Sequence, residues 1–332
     1  MWPTPLQVAR SDSLRVRGGE ITRDSDRMLD RDAVERWIHA FVQPTAPIEV
    51  TRERPWATVL RVPVAGGAAW FKACSPVQAF EPRLSAELFA RWPDRVGEVL
   101  AYDTPRAWLL LADAGVALRE LGNGPEDWLD ALPLYAELQR GEAVYANDHF
   151  VHGVPALPTS TLPFRYSQLL DRDLPLEPDE RDRLATSLPL LEQLCTELCA
   201  AGVPLTVQHD DLHAGSVYER NKRLRVLDWG DSSISHPFFS LVVTFRVLEE
   251  HTGLKPHDPW FARLRDAYLE PWGTDLDEQF DLALRVGRFA HAIAWSRQRE
   301  FLSSEERTRF DERFAHVLRR ALDVSKGRPL LL

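Results

Sequence analysis

The sequence predicts an α+β protein of two lobes, a small antiparallel sheet followed by a larger, mainly helical unit. Three observations carry this. The chain has 332 residues, room for about two compact units at roughly 150 residues each. Between residues 48 and 112, short apolar runs are separated by turn residues, the pattern of strands. After Asp113-Ala114-Gly115 the apolar positions recur at three and four, the period of helices. The expected division is an N-terminal arm over 1–30, a sheet lobe over 31–113 and a helical lobe over 114–332.

The first thirty residues are polar, with Gly18-Gly19 and alternating Asp and Arg, and predict a loosely held arm. From Asp32 to Phe41 the residues Val34, Trp37, Ile38 and Phe41 mark one face of a helix. Ile48–Arg54 and Ala57–Val64 read as strands, Gly66-Gly67 supplies the positive φ angles of a tight hairpin, and Ala69–Ala73 is the next strand. Leu84, Leu88 and Trp92 align in a helix over Glu81–Trp92, after which Val96–Tyr102 and Trp108–Ala112 complete a sheet with one helix inserted behind its third strand.

Beyond 113, Glu126–Tyr145 is helical and Val154–Pro163 is a proline-rich connection. One helix is expected over Asp179–Ala201, its apolar face set by Leu184, Leu188, Leu191, Cys195 and Leu198, with Gly202 and Pro204 as the stop. Leu205–Gln208 and Leu224–Leu227 are short strands, and Phe239 to Leu322 is mainly helical with breaks at Gly253–Pro259 and Pro271–Asp275.

Composition narrows the partners. Forty Lys and Arg against fifty Asp and Glu give a formal charge of −10, which argues against general binding to nucleic acid or to anionic membranes. The longest apolar run, near Phe238–Phe245, is far below the roughly 18–20 residues that span a bilayer. Met1-Trp2-Pro3-Thr4-Pro5 lacks the basic start and apolar core of a signal peptide, and three cysteines cannot all pair with one another, so the expected location is the cytoplasm. Cys195 and Cys199 lie four apart without a second ligand pair and read as core packing.

The densest titratable cluster is His209-Asp210-Asp211-Leu212-His213-Ala214-Gly215-Ser216, followed by Asp228-Trp229-Gly230-Asp231. Asp211 and Asp228 sit at strand ends seventeen residues apart, and a turn and a strand between them can return both to one place. Such a pair suits phosphoryl transfer: one carboxylate orients the attacking hydroxyl and takes its proton, and the other holds Mg²⁺ against nucleotide phosphates. The plain alternative is a loop of solvated acids with capping histidines.

These residues resemble the catalytic loop of the aminoglycoside phosphotransferase and choline kinase family, H-G-D-x-H-x-x-N followed by a strand and D-W or D-F. The resemblance covers roughly residues 48 to 300 and implies a protein-kinase-like fold, ATP and Mg²⁺ as cofactors, and a small-molecule hydroxyl as acceptor. By it, Asp211 is the catalytic aspartate, His209 buttresses the loop and Asp228 is the metal aspartate. Two positions depart from the family. Ser216 stands where a second metal-binding Asn is usual, which implies a second Mg²⁺ held weakly or through water. Asp210 stands where Gly is common, either as a solvated surface group or as a contact for a cationic substrate or metal-bound water.

The chain has four lysines, Lys72, Lys222, Lys255 and Lys326, and only Lys72 lies in an apolar strand. In kinase-like folds the third-strand lysine reaches the nucleotide phosphates; its expected acidic partner is Glu81, with Glu87 as the alternative. An edge-strand lysine facing water is the plain reading. The loop over the phosphates is expected at Arg52–Ala57, including Trp56, and the segment Leu110–Asp113, with Leu111 and Asp113, would present backbone to adenine. Asp231, His213 and Asp210 are candidates for the acceptor pocket. His291 and Trp295, four apart on an apolar helix face, read as core with acceptor binding as the alternative. Two other functions stay open: a nucleotide-binding pseudokinase, motivated by Ser216 and Asp210, and a metal phosphohydrolase with His209, Asp210, His213 and Asp228 as ligands.

Overall fold

The computed structural model describes residues 29–325. The expected N-terminal arm, apart from its last two residues, and Lys326 lie outside the described residues. Asp30 starts the first helix, α1 (Arg31–His39), by accepting a bond from Ala33 N at 3.0 Å, the service a short acidic side chain gives to an orphan helix N–H. Then come β1 (Glu49–Arg54), β2 (Ala57–Val64), β3 (Gly67–Cys74), α2 (Glu81–Arg91), β4 (Val99–Asp103) and β5 (Trp108–Ala112). All pairings in this sheet are antiparallel, in the order β1-β2-β3-β5-β4, so the expected sheet with its inserted helix forms. The hairpin between β2 and β3 needs one left-handed residue where two were expected. Gly66 has φ +83°, while Gly67 already belongs to β3 and pairs with Val64.

Side chains alternate across each strand. Leu60, Val62, Ala69, Phe71 and Leu110 point at α1 and close a small core with Val34 and Ile38. Trp37, Phe71 and Trp108 meet edge to face there, with ring centroids 5.6–5.7 Å apart, the arrangement that the aromatic quadrupole favours. The opposite face carries Val59, Lys72 and Leu109 side by side, which turns the lysine away from that core. At the sheet's edge, β1 is exposed along its whole length, and its register with β2 shifts between Val50 and Arg52.

The helical lobe opens with β6 (Val116–Ala117), α3 (Leu118–Leu121), α4 (Pro125–Glu142), α5 (Ala146–Val151), α6 (Leu162–Leu170), α7 (Pro178–Thr186) and α8 (Leu188–Ala200). The single helix expected over Asp179–Ala201 is thus two. Pro189 offers no N–H to the preceding turn and its ring crowds that turn, so the chain breaks at Ser187 while Leu184, Leu191, Cys195 and Leu198 stay buried on both sides. Cys195 packs in the core and Cys199 is exposed.

Next are β7 (Thr206–Gln208), β8 (Val217–Arg220), β9 (Arg223–Val226) and β10 (Ser233–Ser235), then α9 (Leu241–Thr252), α10 (Pro259–Leu269), α11 (Asp277–Arg299) and α12 (Ser304–Ser325). The breaks between α9 and α10 and between α10 and α11 fall where the glycines and prolines put them, whereas the break between α11 and α12, at 300–303, has neither residue and was not expected. Strands β6 and β10 are too short to leave a periodic signal. No helix among the described residues is long and apolar enough to cross a membrane.

Phe71 is fully buried in the three-ring cluster. Phe71→Ala should lower the unfolding free energy by about 3–5 kcal/mol, read from urea denaturation; a change below about 1 kcal/mol would contradict the assignment of this cluster as the core of the sheet lobe.

Candidate active site

Two short ladders build the site. β7 pairs with β10, setting Gln208 opposite Ser233, and β8 pairs with β9, setting Val217 opposite Val226. Residues 209–216 therefore leave β7 and enter β8, while residues 227–232 leave β9 and enter β10. Both turns hang from the same four strands, which brings Asp211 within electrostatic reach of Asp228. Leu227 joins the turns twice: its N–H donates to Ser216 O at 2.8 Å, and its carbonyl accepts from His209 Nε2 at 2.8 Å.

His209 is wholly buried. Because a carbonyl only accepts, the imidazole carries its proton on Nε2, and burial pushes its pKa below the usual range. Its backbone N–H donates to Tyr135 Oη at 3.0 Å, Tyr135 shares a bond of 2.6 Å with the Ser240 hydroxyl, and Ser240 bonds Gln208 Oε1 at 3.1 Å. Under Asp211, Thr244 of α9 donates to Leu212 O at 2.8 Å. Gly215 N–H donates to His213 Nδ1 at 2.8 Å, which leaves the His213 proton on Nε2, 3.4 Å from Asp211 Oδ2. Burial raises the Asp211 pKa, but the bond and charge of His213 more than offset it, so the carboxyl sits below its ordinary range.

Asp228 has a left-handed backbone, φ +67°, a conformation Asp adopts more readily than most residues. Its half-exposed carboxylate is bonded by Lys72 Nζ, which reaches over from β3. Lys72 also donates to Glu81 at 2.8 Å to one oxygen and 2.7 Å to the other, and Glu81 takes a further bond of 3.3 Å from the Cys74 thiol. Burial opposes the charge on Lys72, yet the carboxylates of Asp228 and Glu81 outweigh it and hold the ammonium well above its usual range. In return, Lys72 brings the Asp228 carboxyl down to about 2. Gly230 permits this closeness, since a Cβ there would lie 2.6 Å from Glu81 Oε2 and 2.7 Å from Gln78 Cδ. Glu87, the alternative partner, faces His149 at 3.3 Å and His152 at 2.8 Å instead. Lys222 and Lys255 are exposed.

Several expectations change. Asp210 is not a solvated surface group. It is 6% exposed, in a left-handed conformation, and accepts a bond of 2.6 Å from Ser233 across the β7–β10 ladder, and burial lifts its carboxyl to about 6. Asp231 is held by Gln78 at 3.2 Å and by Gln298 of α11; burial first, and then Asp211 and Asp228, push it up to about 7. The Ser216 hydroxyl, 2% exposed, accepts from His213 N at 3.0 Å and points its proton at His213 O, 2.9 Å away, and Asp211 O, 3.3 Å away. That hydroxyl closes its own turn, and a metal at Ser216 has to displace those bonds.

The loop expected at Arg52–Ala57 is mostly strand; only Pro55-Trp56 form the turn, and Trp56 O accepts from Ser75 N at 2.8 Å. Leu111 pairs with Trp70 in the sheet, whereas Asp113 accepts from Gly115 N at 3.1 Å and from Arg220 at 2.5 Å. His291 is 7% exposed, 5.7 Å from Trp295, which stacks on Phe310 at 5.3 Å, and these residues pack in the core of the helical lobe. Tyr135, Ser240, Ser233, Gln78 and Arg297, which donates to Asp231 O at 3.2 Å, escaped the sequence reading. Their roles depend on partners tens of residues away, and nothing in their own neighbourhoods signals them.

Among the described residues no three His, Cys, Asp or Glu side chains gather as a metal-binding group. Mg²⁺ usually takes one or two carboxylates and fills the rest of its shell with phosphate and water; Asp228, whose side chain is half-exposed, is a carboxylate that could hold such an ion. His209, Asp210, His213 and Asp228, the ligands a phosphohydrolase would need, do not gather as a metal-binding group.

No family model and no curated protein matches the sequence. Solved structures do match. A choline kinase from Cryptosporidium parvum aligns with TM-score 0.58 and 13% identity over 90% of this chain and 97% of its own. An aminoglycoside 2′-phosphotransferase IIIa aligns with TM-score 0.57 and 14% identity, covering 88% and 96%. This is the fold of the small-molecule kinases. The small-molecule kinase fold also joins this chain to an amicoumacin kinase solved with AMP-PNP and Ca²⁺, at TM-score 0.53 and 11% identity over 90% and 94%.

Burial holds His209 below its usual pKa and brings His236 and His291 down to about 3. An unfolded histidine titrates near about 6.5, so the fold takes up fewer protons than the unfolded chain. Their contribution to stability is therefore complete above about pH 6.5 and falls as pH drops towards 3, while the raised carboxyls of Asp210 and Asp231 act in the opposite sense. Thermal melts from pH 8 to pH 4, compared between the chain and a histidine variant, read this contribution. His236→Asn, which keeps an acceptor for Phe238 N, should remove part of it; an unchanged pH profile in that variant would contradict the argument.

Proposed function

We propose that this chain is an ATP-dependent phosphotransferase that acts on a hydroxyl group of a small molecule. One observation carries the reading: Lys72 of the sheet lobe bonds Asp228 of the helical lobe, and Asp228 shares its cleft with Asp211. A cation aimed at phosphates, a carboxylate for a divalent metal and a second carboxylate for the incoming hydroxyl are what phosphoryl transfer requires. The small-molecule kinase fold agrees with this.

A bound Mg²⁺-nucleotide supplies the phosphoryl group. Asp228 is the residue to hold its metal, and Lys72, oriented by Glu81, is the residue to neutralise its phosphates. Asp211 orients the acceptor hydroxyl and accepts its proton, while His213 Nε2–H fixes the carboxylate's direction. His209 keeps the two turns at a set spacing through Leu227. Leu111 and Asp113, where the strands lead into the helical lobe, are the residues to offer backbone groups to the nucleotide base. A nucleotide-binding protein without turnover is the second reading, favoured by the engaged hydroxyl of Ser216.

Asp211→Asn should keep nucleotide affinity and lower turnover by about 10²–10⁴-fold, whereas Asp228→Ala should weaken Mg²⁺-nucleotide binding as well. Lys72→Arg should not restore what Lys72→Ala loses, since a planar fork cannot occupy the place of a compact ammonium. Calorimetry with Mg²⁺-AMP-PNP and an ATP-consumption assay over amino sugars, sugars and amino alcohols decide the matter. Unchanged affinity in the Asp228 variant refutes the metal role, and binding without turnover on any acceptor selects the second reading.

A further inference from the structure

Helix α2 lies between two strands of the sheet lobe in sequence, yet its packing belongs elsewhere. Phe80, Leu84, Leu88 and, just beyond it, Val96 join the large core of the helical lobe, which is separate from the core between the sheet and α1. Its polar side is fastened to the same lobe turn by turn. Gln78, ahead of the helix, bonds Asp231. In the middle, Glu87 is bonded by Arg83 at 2.9 Å and faces His149 and His152.

At the far end Arg91 grips Glu142 of α4 with both prongs, Nε to Oε1 at 2.7 Å and Nη2 to Oε2 at 2.6 Å. Trp92 Nε1 donates to Glu142 at 2.7 Å, His149 Nε2 lies 2.7 Å from it, and Arg95 reaches Glu137 at 2.5 Å. Glu142 and His149 are fully buried. Burial works against ionisation of Glu142, but His149, Arg91 and Trp92 hold its carboxyl below the usual range. A buried carboxylate with these partners tolerates little displacement, because any shift leaves a charge unpaired.

We propose that Glu142, with Arg91 and His149, positions Glu81 and through it Lys72. The cluster fixes one end of α2, a rigid rod whose Glu81 end lies about 15 Å away at 1.5 Å per residue. Glu81 therefore stays with the helical lobe, and the Lys72–Glu81 pair is a contact between lobes, made when the sheet carries Lys72 onto a carboxylate already in place. These are positioning residues: none of them touches Lys72 or the carboxylates of Asp211 and Asp228. The inference rests on the reading of Lys72 as a nucleotide-phosphate ligand.

The test is a double-mutant cycle on Mg²⁺-AMP-PNP affinity. Glu142→Gln, which keeps shape and removes charge, should raise the dissociation constant about tenfold, equivalent to about 1.4 kcal/mol, in the otherwise unsubstituted chain. In a Glu81→Gln background it should add less than about twofold, because the group it positions is already neutral. Leu191→Ala, a cavity variant in α8, serves as a control that loses thermal stability without losing affinity. If Glu142→Gln does not fold, Trp92→Phe, which removes one bond to Glu142, carries the same cycle with a smaller first step. Equal weakening in both backgrounds, or none in either, overturns the positioning role while leaving the phosphotransferase reading intact. No binding of AMP-PNP by the unsubstituted chain overturns that reading, and this inference with it.

Discussion

The site depends on one cation held between two carboxylates that belong to different parts of the chain. Lys72 comes from the middle of a sheet, Glu81 from a helix start and Asp228 from a turn more than 150 residues later. An ammonium placed so far from water is costly unless its partners are close, and each partner in turn is stabilised by the ammonium. The surrounding structure meets that demand. β3 aims the side chain away from the aromatic core, Gly230 lets the Asp228 turn press against α2, and the β7–β10 and β8–β9 ladders fix where Asp228 emerges.

Much of this was legible in residue types. Lys72 stands out because the chain otherwise uses Arg, and Asp211 and Asp228 stand out because both close strands. The sheet with its inserted helix follows from alternation and turn residues over a short stretch, and Glu81 over Glu87 follows from distance along the helix. What was not legible depends on long-range closure. Asp210 looks like a surface acid until Ser233 is brought across a three-residue ladder. Ser216 looks like a short metal ligand until its hydroxyl closes on the backbone of its own turn. Tyr135 sits on an apolar face of α4, and its hydroxyl acquires meaning only when His209 N arrives beside it. The break at Pro189 was visible in principle, but an unbroken apolar stripe concealed it.

The loop over residues 209–216 is held rigidly for a plain reason. Nearly every polar atom that could let it move is spent: His209 on Leu227 and Tyr135, Ser216 and His213 on their own turn, Thr244 on Leu212. Asp211 is paired with His213, and its side chain is partly exposed. Such pre-organisation lowers the cost of binding at this loop, because little of it has to be ordered when a ligand arrives.

The exposed first strand has a consequence for the company the protein keeps. Among the described residues β1 presents an open edge, whose backbone groups could accept a strand from another chain, the usual route to edge-to-edge aggregation. It carries Glu49, Arg52, Glu53 and Arg54 and slips register between Val50 and Arg52. A second strand laid along it would have to match that irregular register and meet charged side chains along its length. Charge and an irregular register along an edge are among the devices by which sheet proteins discourage edge-to-edge pairing.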